Sequence, residues 1–352
     1  MADQKQSEMC AVCYSALDLS NGEENKGTRV AGTVALVGRT NAGKSVLLNR
    51  IVGQKLAIVS PRPQTTRNRI TGVYNGPEGQ IVFVDTPGFH AGEGKTPLNR
   101  FMSHEAEEAM QGVDAVVLVV DAVATLKRPR KSVARENARK PNPRERPHRD
   151  VGSPGPDVHL IAIAKRVMAL GKPVVLVLNK VDDIDDKRVL LPQLAAWSEV
   201  ATFAAVVPAS GLKGTGVPDL LKELAGKLPM GEPIYKDDEL TDRTERFLVA
   251  EMVREQLFLR LHDELPYSVA VEVERWTEGA GDVTVDAVIL VDRDSQKRIV
   301  VGTGGTMVRD IGIAARKEAA ELLGRPVHLK LFVKVAPDWA SNADTMDRLG
   351  YR

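Results

Sequence analysis

Cysteine is nearly absent from this chain: only Cys10 and Cys13 occur among its 352 residues. That excludes a disulfide framework and suits a reducing compartment. Their CxxC spacing is half of a zinc site, but no second pair follows, so they read as incidental thiols. Aromatics are scarce at 4%. No apolar run reaches the ~18–20 residues a membrane-spanning helix needs; the longest, 115–124, is interrupted by Asp121. Excess charge of one sign is missing too, since 48 Lys and Arg against 47 Asp and Glu leave a formal net charge of +1. The chain is therefore not basic overall. Residues 1–27 carry Asp3, Glu8, Asp18, Glu23 and Glu24. A secretory signal has a basic start and an apolar core, and a transit peptide is rich in Arg and poor in acids. Neither fits, and the segment reads as a flexible tail.

What the chain does have is the 43% hydrophobic and 27% charged residues of an ordinary globular protein, with length for two domains of ~100–200 residues. From residue 33 onward, short β-branched runs at 33–37, 80–84, 115–120, 174–178 and 204–207 alternate with helical spacing at 45–51, 98–110, 158–169 and 217–228. This pattern predicts an α/β domain over 28–228, a doubly wound and mostly parallel sheet with its ligand site at the carboxyl ends of the strands. A polar connector, 229–244, follows. A helix at 245–261, alternating strands at 268–276 and 283–291, a helix at 306–323 and a strand at 327–335 then predict a smaller α+β domain over 245–352.

One stretch fits neither pattern. Between residues 126 and 150 stand ten basic residues against three acidic ones, with Pro129, Pro141, Pro143 and Pro147 and almost nothing apolar. Such a segment cannot bury enough surface to fold, so 126–157 reads as a disordered basic insert.

Three motifs lie at predicted strand ends. Gly38-Arg39-Thr40-Asn41-Ala42-Gly43-Lys44-Ser45 matches the phosphate loop GxxxxGK[ST]. Its glycines let backbone N–H groups turn toward phosphates, Lys44 reaches the β- and γ-phosphates, and the Ser45 hydroxyl suits Mg²⁺. Asn179-Lys180-Val181-Asp182 is an NKxD whose aspartate would accept the guanine N1–H and amino group. Asp85-Thr86-Pro87-Gly88 offers a carboxylate for Mg²⁺ through water and a Gly88 N–H for the γ-phosphate. In the polar loop Gln64-Thr65-Thr66-Arg67, we take Thr66 as the residue completing the Mg²⁺ shell. Ala209-Ser210-Gly211 offers backbone N–H groups to guanine O6.

With these motifs in this order, the chain resembles the Era family of GTPases from about Val30 to the C-terminus, the basic insert excepted. The second domain adds Thr241-Asp242-Arg243, Glu264-Leu265-Pro266-Tyr267-Ser268-Val269 and Gly302-Thr303-Gly304-Gly305, the last resembling the GxxG loop of a KH RNA-binding domain. The resemblance implies a GTP/GDP site of Gly38, Asn41, Ala42, Gly43, Lys44, Ser45, Val46, Asp85, Gly88, Asn179, Lys180, Asp182, Ser210 and Gly211. Lys44, Thr66 and Gly88 would act on the γ-phosphate, and Ser45, Thr66 and Asp85 would hold Mg²⁺. RNA contacts would come from Lys297, Arg298, Gly302, Thr303, Gly304, Gly305, Arg309 and Arg316. It also implies slow hydrolysis, with K⁺ on Asn41 as a candidate aid, since Phe89 stands where Ras-like enzymes carry the water-positioning Gln. The implied partners are the 3′ end of small-subunit ribosomal RNA and the small ribosomal subunit, bound by a cytoplasmic monomer during assembly and released on hydrolysis. Peripheral association with the inner face of the cell membrane, or an organelle in a eukaryotic host, stays open.

Departures from the family pattern are Val46 for Thr, Gly211 for Ala, and a GxxG loop without a basic residue. From residue 246 to 352 there are 15 basic and 17 acidic residues, so any pull toward RNA must be local. Two rivals are a tandem or tRNA-modification GTPase and an RNA-binding scaffold with vestigial GTPase activity. The single G domain and KH-like stretch argue against the first, and the intact Lys44, Ser45, Asp85, Asn179 and Asp182 against the second. The basic insert is either a tolerated surface insertion or a ribosomal RNA tether. Deleting residues 127–149 separates the two readings: a tether is expected to lose affinity for ribosomal RNA and show a flatter salt dependence, an insertion to leave both unchanged.

Overall fold

The structure is a computed structural model that describes residues 29–89, 96–126 and 155–351. The expected tail at 1–27 and nearly all of the insert lie outside the described residues. The insert's edges need correction. Leu126 closes a helix, and Asp157 caps the next one, its side chain accepting from Leu160 N. Only 127–154 falls outside.

The first domain is built on a sheet of β1 (Arg29–Val37), β2 (Ile70–Gly76), β3 (Gly79–Asp85), β4 (Ala115–Asp121), β5 (Val174–Asn179), β6 (Ala205–Pro208) and β7 (Met230–Gly231). Its order is β2-β3-β1-β4-β5-β6, with β7 joined to β1. Strands β3, β1, β4, β5 and β6 are parallel. They are apolar on both faces because both are covered, which is why they read as continuous runs rather than alternation. Val34 and Leu36 of β1 pack with α1 (Lys44–Val52) and α6 (Val217–Ala225). Ala35 and Val37 pack on the other side with α2 (Pro97–Gln111), α4 (Val158–Met168) and α5 (Leu190–Ser198). A short α3 (Ala122–Leu126) follows β4. The expected α/β sheet is therefore observed.

Strand β2 escaped the sequence reading because Gly72 and the Asn75-Gly76 pair dilute its apolar pattern. It forms a hairpin antiparallel to β3, in register from Ile70↔Asp85 to Gly76↔Gly79. Gly79 adopts φ 125°, and a Cβ there would lie 2.3 Å from Val30 O, so only glycine lets the hairpin close against β1.

The helix expected at 245–261 is observed at Glu245–Arg260. Helix α7 (Glu245–Arg260) leads into β8 (Ala270–Glu278), β9 (Val283–Val291), α8 (Asp294–Val301), α9 (Thr306–Leu323), β10 (Val327–Val335) and α10 (Ala343–Arg348). Its sheet runs β10-β9-β8, with β8 and β9 antiparallel and β9 and β10 parallel. Val253 and Leu257 of α7, Val300 of α8, and Ile311 and Ala315 of α9 form a core with Ile289 and Val291. At roughly 1.5–3 kcal/mol for each fully buried large apolar side chain, that core is the domain's main source of stability. Helix α8 was missed because its eight residues begin in a run of charges.

The polar connector 229–244 is fastened along the first domain. Ala31 N donates to Pro229 O at 3.0 Å, and Val73 N to Leu240 O at 2.8 Å. Gln80, fully buried, clamps the middle: its Oε1 accepts from Ile234 N (2.6 Å) and Tyr235 N (2.9 Å), and its Nε2 donates to Tyr235 O (2.9 Å). The segment is thus a strap bound along the first domain. Gln80→Ala leaves three strap groups unpaired and is expected to lower unfolding free energy by about 1–3 kcal/mol in a denaturant titration.

Candidate nucleotide site and domain junction

Because the central strands are parallel, Val37, Asp85, Asp121 and Asn179 end at one edge of the sheet. The loop after β1 turns there into α1. Gly43 caps that helix in the left-handed region (φ 90°) without a side-chain cap. The first N–H groups of α1 therefore face the cleft, an arrangement suited to phosphate. Gly38 packs so tightly under β4 that a Cβ would lie 2.2 Å from Val119 O, and Gly88 so tightly on the loop that one would lie 2.6 Å from Thr40 N. The cleft is lined by Asn41, Lys44, Ser45, Val46, Thr66 and Gly88, among others.

At its floor is Asp85, 0% exposed. Ser45 Oγ donates to Asp85 Oδ2 at 2.6 Å, and Thr66 Oγ1 lies 3.0 Å from Ser45 Oγ and 3.4 Å from Asp85 Oδ2. Asp85 Oδ1 is buried without a hydrogen-bond partner. Burial pushes the Asp85 carboxyl above its ordinary value, while Lys44 and the two hydroxyls pull the other way. Burial likewise lowers the Lys44 ammonium against the attraction of Asp85. Lys44 Nζ rests on Arg39 O (3.2 Å) and Gly38 O (3.4 Å). One carboxylate, with one of its oxygens unsatisfied, and two hydroxyls are hard donors of the kind Mg²⁺ prefers, and they leave room in the shell for phosphate oxygens and water. The residues fit the ion.

Asn179, 2% exposed, ties three loops together. Its Nδ2 donates to Ala42 O at 2.8 Å, and its Oδ1 accepts from Gly211 N at 2.9 Å. Lys180 takes φ 66°, and its Nζ pairs with Asp121 at 2.7 Å. Asp182 stands half-exposed in the turn Val181–Asp183. Ser210 N donates to Thr215 O at 2.8 Å. The Ser210 and Gly211 N–H groups are thus both hydrogen-bonded within the protein, which fixes the shape of this loop. Phe89 is buried among Val37, Ala106 and Leu160 and exchanges backbone hydrogen bonds with Gly38 and Thr40, so it anchors the loop after β3. Asn41 Nδ2 donates to Pro61 O at 2.9 Å, linking the phosphate loop to the loop that carries Thr66.

On the second domain, Gly302, Gly304 and Gly305 all have positive φ (74°, 61° and 77°), an arrangement that favours glycine at each. A Cβ on Gly304 or Gly305 would meet nothing within 4 Å, so the turn is open to an approaching backbone, with Thr303 exposed at its tip. Arg309 and Arg316 line a groove with Val308, Ile313, Leu329 and Leu331 between α9 and β10. Lys297 and Arg298 sit on α8 just before the turn.

The sequence reading missed the junction between the domains. Arg67, next to Thr66, is 2% exposed, and its hydrogen bonds and ring contacts go to second-domain groups. It donates to Val269 O (2.8 Å), Tyr267 O (3.0 Å) and Pro266 O (3.4 Å). Its guanidinium lies 5.7 Å from the Trp339 ring centroid and 6.0 Å from those of Phe258 and Tyr351. Leu98, Phe101 and Met102 of α2 share a core with Val288, Leu290 and Trp339. No local pattern marks Arg67, because a lone Arg in a polar loop reads as solvated.

A phosphate loop over a parallel sheet, an NKxD turn and a domain with a GxxG turn define a P-loop GTPase joined to a KH domain. A family model described as 50S ribosome-binding GTPase matches residues 33–180, and a KH domain model matches residues 264–340. The chain is 40% identical over 321 residues to the GTPase Era of Xylella fastidiosa, covering 91% of this chain and 97% of that protein. With the GTPase Era of Geotalea uraniireducens it shares 43% over 322 residues, at the same coverage. A Tyr-to-Ala variant of Aquifex aeolicus Era bound to GDP·AlF4⁻ superposes with a TM-score of 0.80 at 33% identity, covering 92% of this chain and 99% of that one. Era in complex with MgGDPNP and nucleotides 1506–1542 of 16S ribosomal RNA gives 0.79 at 34% identity, with the same coverage. The chain belongs to the Era family of GTPases.

If Asn179 braces the loops rather than serving the base alone, Asn179→Ala is expected to lower the stability of the nucleotide-free protein by about 1–3 kcal/mol. Thermal unfolding without nucleotide checks this; an unchanged midpoint would leave only a ligand-contact role.

Proposed function

We propose that this GTPase is a switch that holds the 3′ end of small-subunit ribosomal RNA on its KH domain and times small-subunit assembly, GTP hydrolysis releasing it. The observation that carries this reading is the 34% identical Era structure that holds MgGDPNP and nucleotides 1506–1542 of 16S ribosomal RNA. The open GxxG turn and the groove with Arg309 and Arg316 support the same role here. Gly302, Thr303, Gly304 and Gly305 would receive the RNA backbone, Lys297 and Arg298 would screen its phosphates, and the apolar groove would hold bases.

In the cleft, Gly38, Ala42, Gly43 and Val46 shape the cradle around the phosphates, and Lys44 neutralises charge on the β- and γ-phosphates. Asp182 selects guanine, with Lys180 and Asn179 holding its turn, and Ser210 and Gly211 forming the facing loop. Ser45, Thr66 and Asp85 would hold Mg²⁺, which when bound would neutralise charge developing on the phosphates. Gly88 N–H meets the γ-phosphate, and Phe89 keeps that loop in place. Without a Gln after Gly88, backbone and loop groups would orient the attacking water, and Asn41 would be the residue to hold K⁺, which would add positive charge. Turnover is therefore slow, as suits a timer. The partner sets the compartment: a cytoplasmic monomer that meets nascent small subunits, with any contact to the inner membrane face peripheral. Among the described residues, no helix is long and apolar enough to cross a membrane.

Co-sedimentation with small subunits tests the reading. Wild type loaded with Mg²⁺ and GDPNP is expected to pellet with them and GDP-loaded protein much less, while Gly304→Asp, which puts a carboxylate at the open turn, loses the interaction. Equal pelleting of the variant, or none of the wild type, would contradict it.

A further inference from the structure

The loop that carries Thr66 is fastened to the KH domain on both sides of that residue. On one side Val59 N donates to Glu255 Oε1 of α7 at 2.8 Å, and Lys55 pairs with Glu255 at 2.5 Å and Glu318 at 2.8 Å. On the other, Arg67 is buried in the second domain. A buried cation is costly unless its surroundings replace the lost water. Here the replacement comes from three carbonyls and three aromatic faces, all of them KH-domain groups, whose contacts with a desolvated guanidinium are strong. Arg67 cannot leave this seat without being rehydrated or stranded. Thr66, one peptide away, cannot move far without disturbing it, since consecutive Cα atoms are ~3.8 Å apart. The hydroxyl of Thr66 in turn sits at the Ser45–Asp85 cluster.

We propose that Arg67 is a positioning residue: seated in the KH domain, it holds Thr66 in place for Mg²⁺, so that the KH domain completes the metal site of the GTP form. This rests on the reading of Thr66 as the residue that closes the Mg²⁺ shell. The coupling is reciprocal, because whatever loosens the Arg67 seat from the KH side loosens Thr66, and release of Thr66 after hydrolysis loosens the seat. The seat differs from a plain interdomain bolt in what it affects. A bolt supports both nucleotide forms equally, whereas a positioning residue acts on the form that recruits Thr66.

The test is equilibrium binding of fluorescent GDPNP and GDP to the full chain across a Mg²⁺ titration, with unfolding midpoints recorded in parallel. Arg67→Ala is expected to raise the Mg²⁺ concentration for half-maximal GDPNP binding about tenfold, as Thr66→Ala does, and to leave GDP affinity within about twofold. The double variant adds nothing to Thr66→Ala, as expected of two residues acting through one contact. Arg67→Lys keeps the charge but not the fork onto Val269 O and Tyr267 O, and restores only part of the effect. Trp339→Phe, changed in the other domain, shifts the titration in the same direction. A wild-type Mg²⁺ dependence for Arg67→Ala beside a shifted Thr66→Ala would overturn the proposal alone. A parallel loss of GDP and GDPNP affinity in Arg67→Ala would reduce Arg67 to a bolt. An unshifted Thr66→Ala would overturn the metal reading of Thr66 and the proposal with it.

Discussion

A single buried carboxylate organises the cleft. Asp85, at the end of β3, has no solvent to stabilise its charge, one oxygen held by Ser45 and the other without a partner. Positive charge in the cleft satisfies that demand: Lys44 nearby, and Mg²⁺ when nucleotide is present. The phosphate loop, the Thr66 loop and the turn after β3 converge on this point, and each is shaped so that it can do so. Gly38 and Gly88 permit close backbone approach, and Asn179 ties the phosphate loop to the guanine loops from the far side.

The second constraint is the absence of slack between cleft and KH domain. The strap 229–244 lies along the first domain instead of spanning free space, and α2 shares apolar side chains with the KH sheet. The Thr66 loop reaches into the KH domain through Arg67. The Thr66 loop, which would close the Mg²⁺ shell in the proposed mechanism, and helix α2 therefore abut the domain that would hold RNA. A local change at Asp85 then has a physical route of packed side chains and hydrogen bonds to the KH sheet.

Much of this was legible in the sequence for a simple reason. Buried parallel strands are written as continuous apolar runs, and phosphate loops need glycines at fixed spacing, so β1, β3, β4, β5 and the cleft residues were evident from local pattern. Strands β9 and β10 and helix α9 match their expected bounds because amphipathic alternation is strong there. What stayed hidden depends on contacts far apart in sequence. Strand β2 is a strand because β3 pairs with it, the strap is ordered because Gln80 lies 155 positions from Tyr235, and Arg67 is buried because Val269 stands 202 positions away. The engaged N–H groups of Ser210 and Gly211 were equally invisible, since a short loop motif does not reveal which donors the protein itself uses.

The claim at the centre is that the cleft and the KH domain move as one unit through Arg67. Amide hydrogen exchange on the full chain, compared between the GDP form and the GDPNP form with Mg²⁺, tests it most directly. Protection is expected to rise together at residues 59–69 and at their seat in the KH domain, residues 255–270 and 339–351. Protection changes confined to residues 38–89, with the KH seat unchanged between the two nucleotides, would contradict it.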